Sequence, residues 1–352
     1  MFCQCVREFA RPLVGETRAD PQPTGSEIVL KVTAAGLCHS DLHVQSGSYD
    51  LGHGQKLYFA DRGLKLPRVL GHEVAGRIVA LGPQAGDLDT SKTYVIYPWQ
   101  GCGQCRRCAR GDENHCLAPQ NLGFHLDGGF ATHIKIPHAR HLFDIGDLPP
   151  EIAAPLACSG LTAYSALQKV RATISESPVV IVGAGGLGLM CVGLVKALGG
   201  LPPIVIDIDP IKREAAIAAG ALALDGRAED VVAGVRAAAK GAEIEAIIDF
   251  VASERTARID FDLVTKGGTI VLVGLFGGAA PWSLPMIPLK AVSIIGSVTG
   301  SMLEFGELVA LARSGRLPRL TTATRPLASA NEALMDLQDG RIIGRSVFVP
   351  AE

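Results

Sequence analysis

Val179-Val180-Ile181-Val182 runs directly into Gly183-Ala184-Gly185-Gly186-Leu187-Gly188, and Leu187 to Leu198 then carries apolar residues at helical spacing. A buried strand, a glycine turn and a helix in immediate succession form the context in which a G-x-G-x-x-G run cradles a dinucleotide. Gly183 would make the tight turn, Gly185 would let backbone amides approach a pyrophosphate, and Gly188 would let helix and strand pack closely, with the negative charge held at the helix amino terminus. Downstream the rhythm continues. Ile204-Val205-Ile206, Ala246 to Phe250, Thr269 to Val273 and Val292 to Ile295 read as further strands, and Pro210 opens a helix that Gly220 closes, the alternation of a parallel α/β sheet. Asp207 lies nineteen residues after Gly188 and supplies the carboxylate expected on the adenosine ribose hydroxyls. NAD is therefore expected over NADP, whose 2′-phosphate would meet a like charge; Lys212 and Arg213 lie close enough to keep NADP as the alternative.

Upstream of Pro178 the chain reads differently. Glu27 to Val32, Gly76 to Ala80 and Thr93 to Tyr97 are short β-type runs separated by Pro and Gly, the mark of a loop-rich antiparallel domain. With 352 residues, two domains are expected. A first, β-rich domain would span residues 1–157 and a Rossmann domain residues 158–298. The tail at 299–352, ending in the strand Arg345 to Val349, would complete the first domain. Residues are 48% hydrophobic and 19% charged, which gives ample core material and no sign of disorder. Net charge is −2, from 33 basic and 35 acidic residues without a like-charge block. That balance argues against a nucleic-acid or membrane partner and for a small neutral ligand. No run reaches the ~18 apolar residues of a membrane span, and the amino terminus lacks a secretory pattern. A cytoplasmic location is expected, so nine cysteines read as metal thiolates or buried apolar residues before disulfides.

Cys102, Cys105, Cys108 and Cys116 follow the spacing C-x2-C-x2-C-x7-C, in which each short gap reverses the chain within one coordination sphere. Four sulfurs leave no open position, so this zinc would be structural. An iron–sulfur cluster is the competitor, but its bacterial run closes with a three-residue gap and a proline, whereas here seven residues intervene and Leu117 follows Cys116. A second set is dispersed: Cys38, His72 and Cys158 would make a catalytic Cys2His zinc site with one place open. Read alone, Cys158 is more simply an inert core cysteine, and its place at the junction into the cofactor domain is what favours the ligand reading.

The whole length resembles the medium-chain zinc-dependent alcohol dehydrogenases, nearest their prokaryotic NAD-dependent branch. The resemblance rests on Cys38-His39-Ser40-Asp41, on Gly71-His72-Glu73-Val74-Ala75-Gly76 with Gly82, on the four-cysteine lobe, on Leu156-Ala157-Cys158-Ser159-Gly160, and on Gly183 to Gly188. It implies a GroES-like catalytic domain with a Rossmann domain inserted, two zinc ions and NAD, and a homodimer or homotetramer. It further implies Glu73 behind the catalytic zinc as an occasional extra ligand, Asp41 orienting His72, and Lys212 on the adenosine ribose. His39 stands where many members keep an arginine for the pyrophosphate, and Arg345 is expected to supply a second phosphate contact.

The expected reaction is reversible hydride transfer between a primary or secondary alcohol, aliphatic or aromatic, and NAD, giving an aldehyde or ketone. Ser40 would take the alcohol proton and pass it by way of the nicotinamide ribose to His43 and solvent. Trp99 and the loop Tyr49 to Leu66, with Tyr58 and Phe59, are candidates for an apolar substrate pocket. Two other readings stay open. One is an NADP-dependent carbonyl or enal reductase; the other is a non-catalytic zinc-ribbon protein that binds a partner through the cysteine lobe.

Overall fold

The computed structural model describes residues 1–280 and 282–350 and divides into two compact units. The first comprises Met1–Ser48, Tyr58–Leu161 and Gly300 to the carboxyl end; the second comprises Tyr49–Leu57 and Thr162–Thr299. The breaks differ in detail from the sequence expectation. Cys158 stays with the first unit, and the hairpin formed by Ser48–Gly52 and Gln55–Tyr58 largely clusters with the second.

In the first unit a seven-stranded sheet runs in the order Leu142–Asp144, Thr93–Ile96, Glu73–Leu81, Ile28–Gly36, Arg345–Val349, Thr322–Pro326, with His133–Ile136 also on Ile28–Gly36. Ile28–Gly36 is buried along most of its length, and Val29, Leu30 and Val32 supply the β-branched and aliphatic residues that a covered central strand needs. Its pairing with Glu73–Leu81 is antiparallel and shifts register between Val29 and Leu30 and again between Val32 and Ala34. Such bulges bend a strand and aim its end. The tail strand Arg345–Val349 pairs antiparallel with the same strand, Val347 opposite Gly36. The tail strand therefore belongs to the first unit.

The second unit carries a six-stranded parallel sheet ordered Leu222–Asp225, Ile204–Asp207, Val180–Val182, Ala246–Asp249, Thr269–Leu272, Ser293–Gly296. Chain order reverses between Val180–Val182 and Ala246–Asp249, and ligands of open α/β sheets lie outside the carboxyl ends of the strands at such a point. Val180, Val182, Ile204, Ile247, Phe261 and Ile270 pack in one apolar core. The strand Leu222–Asp225 was not expected, because it sits at the sheet edge with Leu222 exposed and lacks the continuous apolar run of its neighbours. Among the described residues no helix is long and apolar enough to cross a membrane.

Candidate active site

Gly36 and Glu73 are register partners where the two long strands begin and end. A Cβ on Gly36 would fall 2.0 Å from Glu73 Oε2, so glycine is what lets the chain pass and set Cys38 beside His72. Cys38 is the N-cap of the helix His39–Ser46, and its N–H donates to Asp41 Oδ2 at 2.9 Å. Asp41 Oδ1 accepts from Gly71 N–H at 3.1 Å and lies 3.5 Å from His72 Nδ1. One buried carboxylate therefore ties both ligand turns together and fixes which ring nitrogen of His72 faces away from it.

That other nitrogen, Nε2, is buried without a protein partner. Cys38, His72 and Cys158 bring their donor atoms within 4.8 Å of one another, and the two sulfurs are 3.8 Å apart. Zinc–sulfur bonds of about 2.3 Å in a tetrahedron give a sulfur–sulfur edge of about 3.8 Å, so the donor set fits zinc. The hydrogen bond between the two thiols, with Cys158 as donor, holds Cys38 well below the ordinary thiol range. The same bond and burial push Cys158 up. Burial opposes charge on His72, yet Asp41 outweighs it and raises the ring.

Glu73 is fully buried, with Oε1 accepting from Ser159 N–H at 3.1 Å and Oε2 from Arg345. Burial, opposed by Arg345, moves its carboxyl up to about 7. It backs the site and is not one of the three converging donors. For Arg345 the structure shows a different engagement from the expected phosphate contact, since Nη2 also donates to Leu37 O at 2.8 Å inside the same unit. Trp99 donates from Nε1 to Ala157 O at 3.2 Å, and its ring centroid lies 5.3 Å from that of His72. Ser40 Oγ is 3.8 Å from Cys38 Sγ. His43 is half-buried on the same helix and lowered chiefly by burial, while His39 is exposed. Phe59 is a correction: it is 1% exposed and packs edge-on against Phe124 with centroids 5.2 Å apart, as core. Tyr58 is exposed at 55%.

The four lobe sulfurs also lie within 4.8 Å of one another. Cys105 stands 3.4 Å from Cys108 and 3.8 Å from Cys116, and Cys102 is 4.0 Å from Cys108, again near tetrahedral zinc edges. Backbone N–H groups solvate the sulfurs: Cys116 Sγ accepts from Cys102 at 3.3 Å and Ala118 at 3.4 Å. The backbone N–H of Cys108 brings Cys105 down to about 6. Sequence reading missed Glu113, buried between the third and fourth cysteines, which accepts from Gly101 N–H at 2.7 Å and from Arg140 Nε at 2.9 Å. Its signal was an acidic side chain inside a metal spacing.

In the second unit Gly183 has φ of +93°, and a Cβ on Gly188 would lie 1.8 Å from Gly183 O. A Cβ on Gly185 would meet nothing within 4 Å, so the space over the turn is open where a pyrophosphate would rest. Gly185 caps the helix Gly186–Ala197 with no side chain, so nothing stands in for a ligand at that amino terminus. Asp207 Oδ2 accepts from Ala184 N–H at 2.6 Å and Oδ1 from Asp209 N–H at 2.8 Å. Lys212 lies 3.9 Å from Asp209. Arg213 is taken up by Asp207 O at 3.0 Å and Asp225 at 3.3 Å.

Residues 24–147 match the family model described as the alcohol dehydrogenase GroES-like domain, and residues 186–314 that described as zinc-binding dehydrogenase. An NAD-dependent alcohol dehydrogenase of Sulfurisphaera tokodaii is 37% identical over 97% of this chain and 98% of its own. One from Saccharolobus solfataricus is 35% identical over the same shares. The crystal structure of an alcohol dehydrogenase from Aeropyrum pernix superposes with a TM-score of 0.90 at 30% identity, covering 99% of this chain and 100% of that one.

Proposed function

Because the chain belongs to the zinc-dependent alcohol dehydrogenase family, we infer that it transfers hydride reversibly between a primary or secondary alcohol and NAD, giving an aldehyde or ketone. The observation that carries this is the convergence of Cys38 Sγ, His72 Nε2 and Cys158 Sγ as three donors, one short of a tetrahedron. Zinc held there supplies a Lewis acid that lowers the pKa of a bound hydroxyl. NAD supplies the hydride acceptor.

The chain's own residues do the rest. Asp41 orients His72 through Nδ1 and thereby keeps Nε2 available. Ser40, beside Cys38, takes the hydroxyl proton, and His43, kept neutral by burial, accepts a proton for release to solvent. Trp99, its ring tilted beside His72, walls the substrate side with apolar surface. Asp207 and Lys212 hold the adenosine ribose, and Gly183, Gly185, Gly186, Leu187 and Gly188 hold the pyrophosphate, with His39 on the outer phosphate. NAD is favoured over NADP because Asp207 is acidic and Arg213, a candidate for a 2′-phosphate, is already held by Asp207 O and Asp225. A homodimer or homotetramer is supported by the outer edge of Ser293–Gly296, unpaired among the described residues, and by exposed Phe276, Leu284 and Leu289 in the same unit. A cytoplasmic location fits nine unpaired thiols.

A panel of aliphatic and aromatic alcohols, offered with NAD and with NADP and followed at the NADH absorbance, tests the reading. Turnover with NAD is expected, and turnover with NADP alone would overturn the coenzyme assignment. Ser40→Ala should lower turnover by about a hundredfold with zinc content unchanged; near-normal turnover would remove Ser40 from the proton path.

A further inference from the structure

Asp249 ends the strand Ala246–Asp249 opposite Val182, one residue before the first fingerprint glycine. Its Oδ1 accepts from Val251 N–H at 2.7 Å and Ala252 N–H at 2.8 Å, an arrangement that keeps Ala252 at a left-handed φ of 53° without a glycine. Its backbone carbonyl accepts from Val273 and Gly274 at 2.9 and 3.0 Å. The loop held this way lies on the coenzyme turn: Phe250 N–H donates to Val182 O at 3.0 Å, and Val251 Cγ2 stands 2.9 Å from where a Cβ on Gly183 would be.

Behind this loop, Asp260 of the helix Glu254–Leu263 is fully buried with its carboxyl beside that of Asp249, which acts on it electrostatically. Neither Asp260 oxygen nor Asp249 Oδ2 receives an N–H or hydroxyl from another residue. Two acceptors cannot face each other in a dry interior without a proton between them. Asp249 already accepts two N–H groups, so it is the acceptor and Asp260 carries the proton. Burial first, and then Asp249, push the Asp260 carboxyl well above the usual carboxylate range. Among the described residues no cation pairs with it. Arg236 and Lys290 donate to the carbonyls of Asp262 and Phe261, Arg255 donates to Gly226 O, and the Asp262 side chain is exposed.

We propose that Asp260 is a positioning residue for the coenzyme turn: as a neutral acid it donates its hydroxyl to Asp249 and so fixes the loop Phe250 to Ser253 against Gly183. This rests on the NAD-binding reading above for its purpose, but its physical content is tested without coenzyme. A folded-state pKa raised above the unfolded value means the native protein holds a proton that the unfolded chain releases. Stability is then full below the unfolded pKa, near 4, and falls as pH rises toward the folded one.

The test compares wild type, Asp260→Asn and Asp260→Leu as full-length zinc-loaded protein. The amide of Asn replaces the hydroxyl donor and cannot ionise, so Asp260→Asn should match wild type within about twofold in NADH affinity and in deuterium exchange at Val251 and Ala252 at neutral pH. Asp260→Leu should exchange faster there and bind NADH more weakly, each by about tenfold. In denaturant unfolding above about pH 5, the wild-type unfolding constant should rise with pH relative to Asp260→Asn, by up to about tenfold per pH unit until the folded-state pKa is reached. Parallel pH slopes for these two, or an Asp260→Asn protein that loses the loop as Asp260→Leu does, would overturn the proposal. Should Asp260→Leu fail to fold, the slope comparison decides alone. A wild type that binds no NADH would instead sink the coenzyme reading, leaving exchange and slope to judge Asp260.

Discussion

Two thiol clusters in one unit show how the same donor atom serves opposite ends. In the lobe, four cysteines within fifteen residues satisfy one another on partly exposed loop and short-helix backbone, and amide N–H groups solvate their sulfurs. Among Cys38, His72 and Cys158 the donors come from three distant turns, all buried, with a second layer of Asp41, Glu73 and Arg345 behind them. Four ligands close a tetrahedron; three leave a vertex for substrate. The lobe can be built by local chain reversal alone, whereas the open centre requires a sheet to carry its parts together.

The largest break in this comparison is at the open centre. His72→Ala should cut kcat/KM by about a thousandfold or more, while zinc analysis falls from two ions per chain to one and the melting temperature stays within a few degrees. Loss of both ions would show the two sites to be coupled, against the local character claimed for the lobe. Cys105→Ser probes the other side. It should lower the melting temperature by about 4–8 °C and open the lobe to protease, with kcat of the folded fraction retained. A kcat loss equal to that of His72→Ala would erase the distinction between the sites.

The same contrast explains what could be read from the chain. The lobe and the fingerprint are contiguous, so spacing alone exposes them; Gly183, Gly185 and Gly188 occupy the turn and helix start expected of them. Cys38, His72 and Cys158 were legible because each sits in a recognisable short segment. What spacing cannot convey is which partner a long side chain finds across a sheet. Arg345 meets Glu73 because the tail strand pairs with Ile28–Gly36, a long-range event with no local mark. Phe59 shows the reverse error: an aromatic in a long loop reads as pocket lining until Phe124 is found beside it. The edge strand Leu222–Asp225 was invisible because an edge needs no unbroken apolar run.

Glu113 gives the smallest expected effect and the sharpest one on the lobe. Its carboxylate is 2% exposed, and burial alone would raise its pKa; the hydrogen bonds from His141, Gly101 N–H and Arg140 outweigh burial and hold it at about 2. His141 is itself lowered, chiefly by burial, so at neutral pH it donates Nε2–H as a neutral ring, at 3.1 Å. Arg140, partly exposed, is then its counter-charge. A carboxyl depressed in the fold contributes stability above its unfolded pKa, and that contribution fades as pH falls from about 4 to about 2. Glu113→Gln keeps an acceptor for Gly101 N–H but forfeits the charge, at a cost of about 1–2 kcal/mol after allowing for solvent screening at Arg140. At neutral pH a chelator should strip lobe zinc faster from this variant while kcat is unchanged. The gap in melting temperature between variant and wild type should close below about pH 3, where both carry a neutral side chain; zinc release in acid is common to both and cancels. A gap that persists unchanged in acid would mean that Glu113 anchors the lobe by shape and not by charge, and the lobe would then be less self-sufficient than its spacing implies.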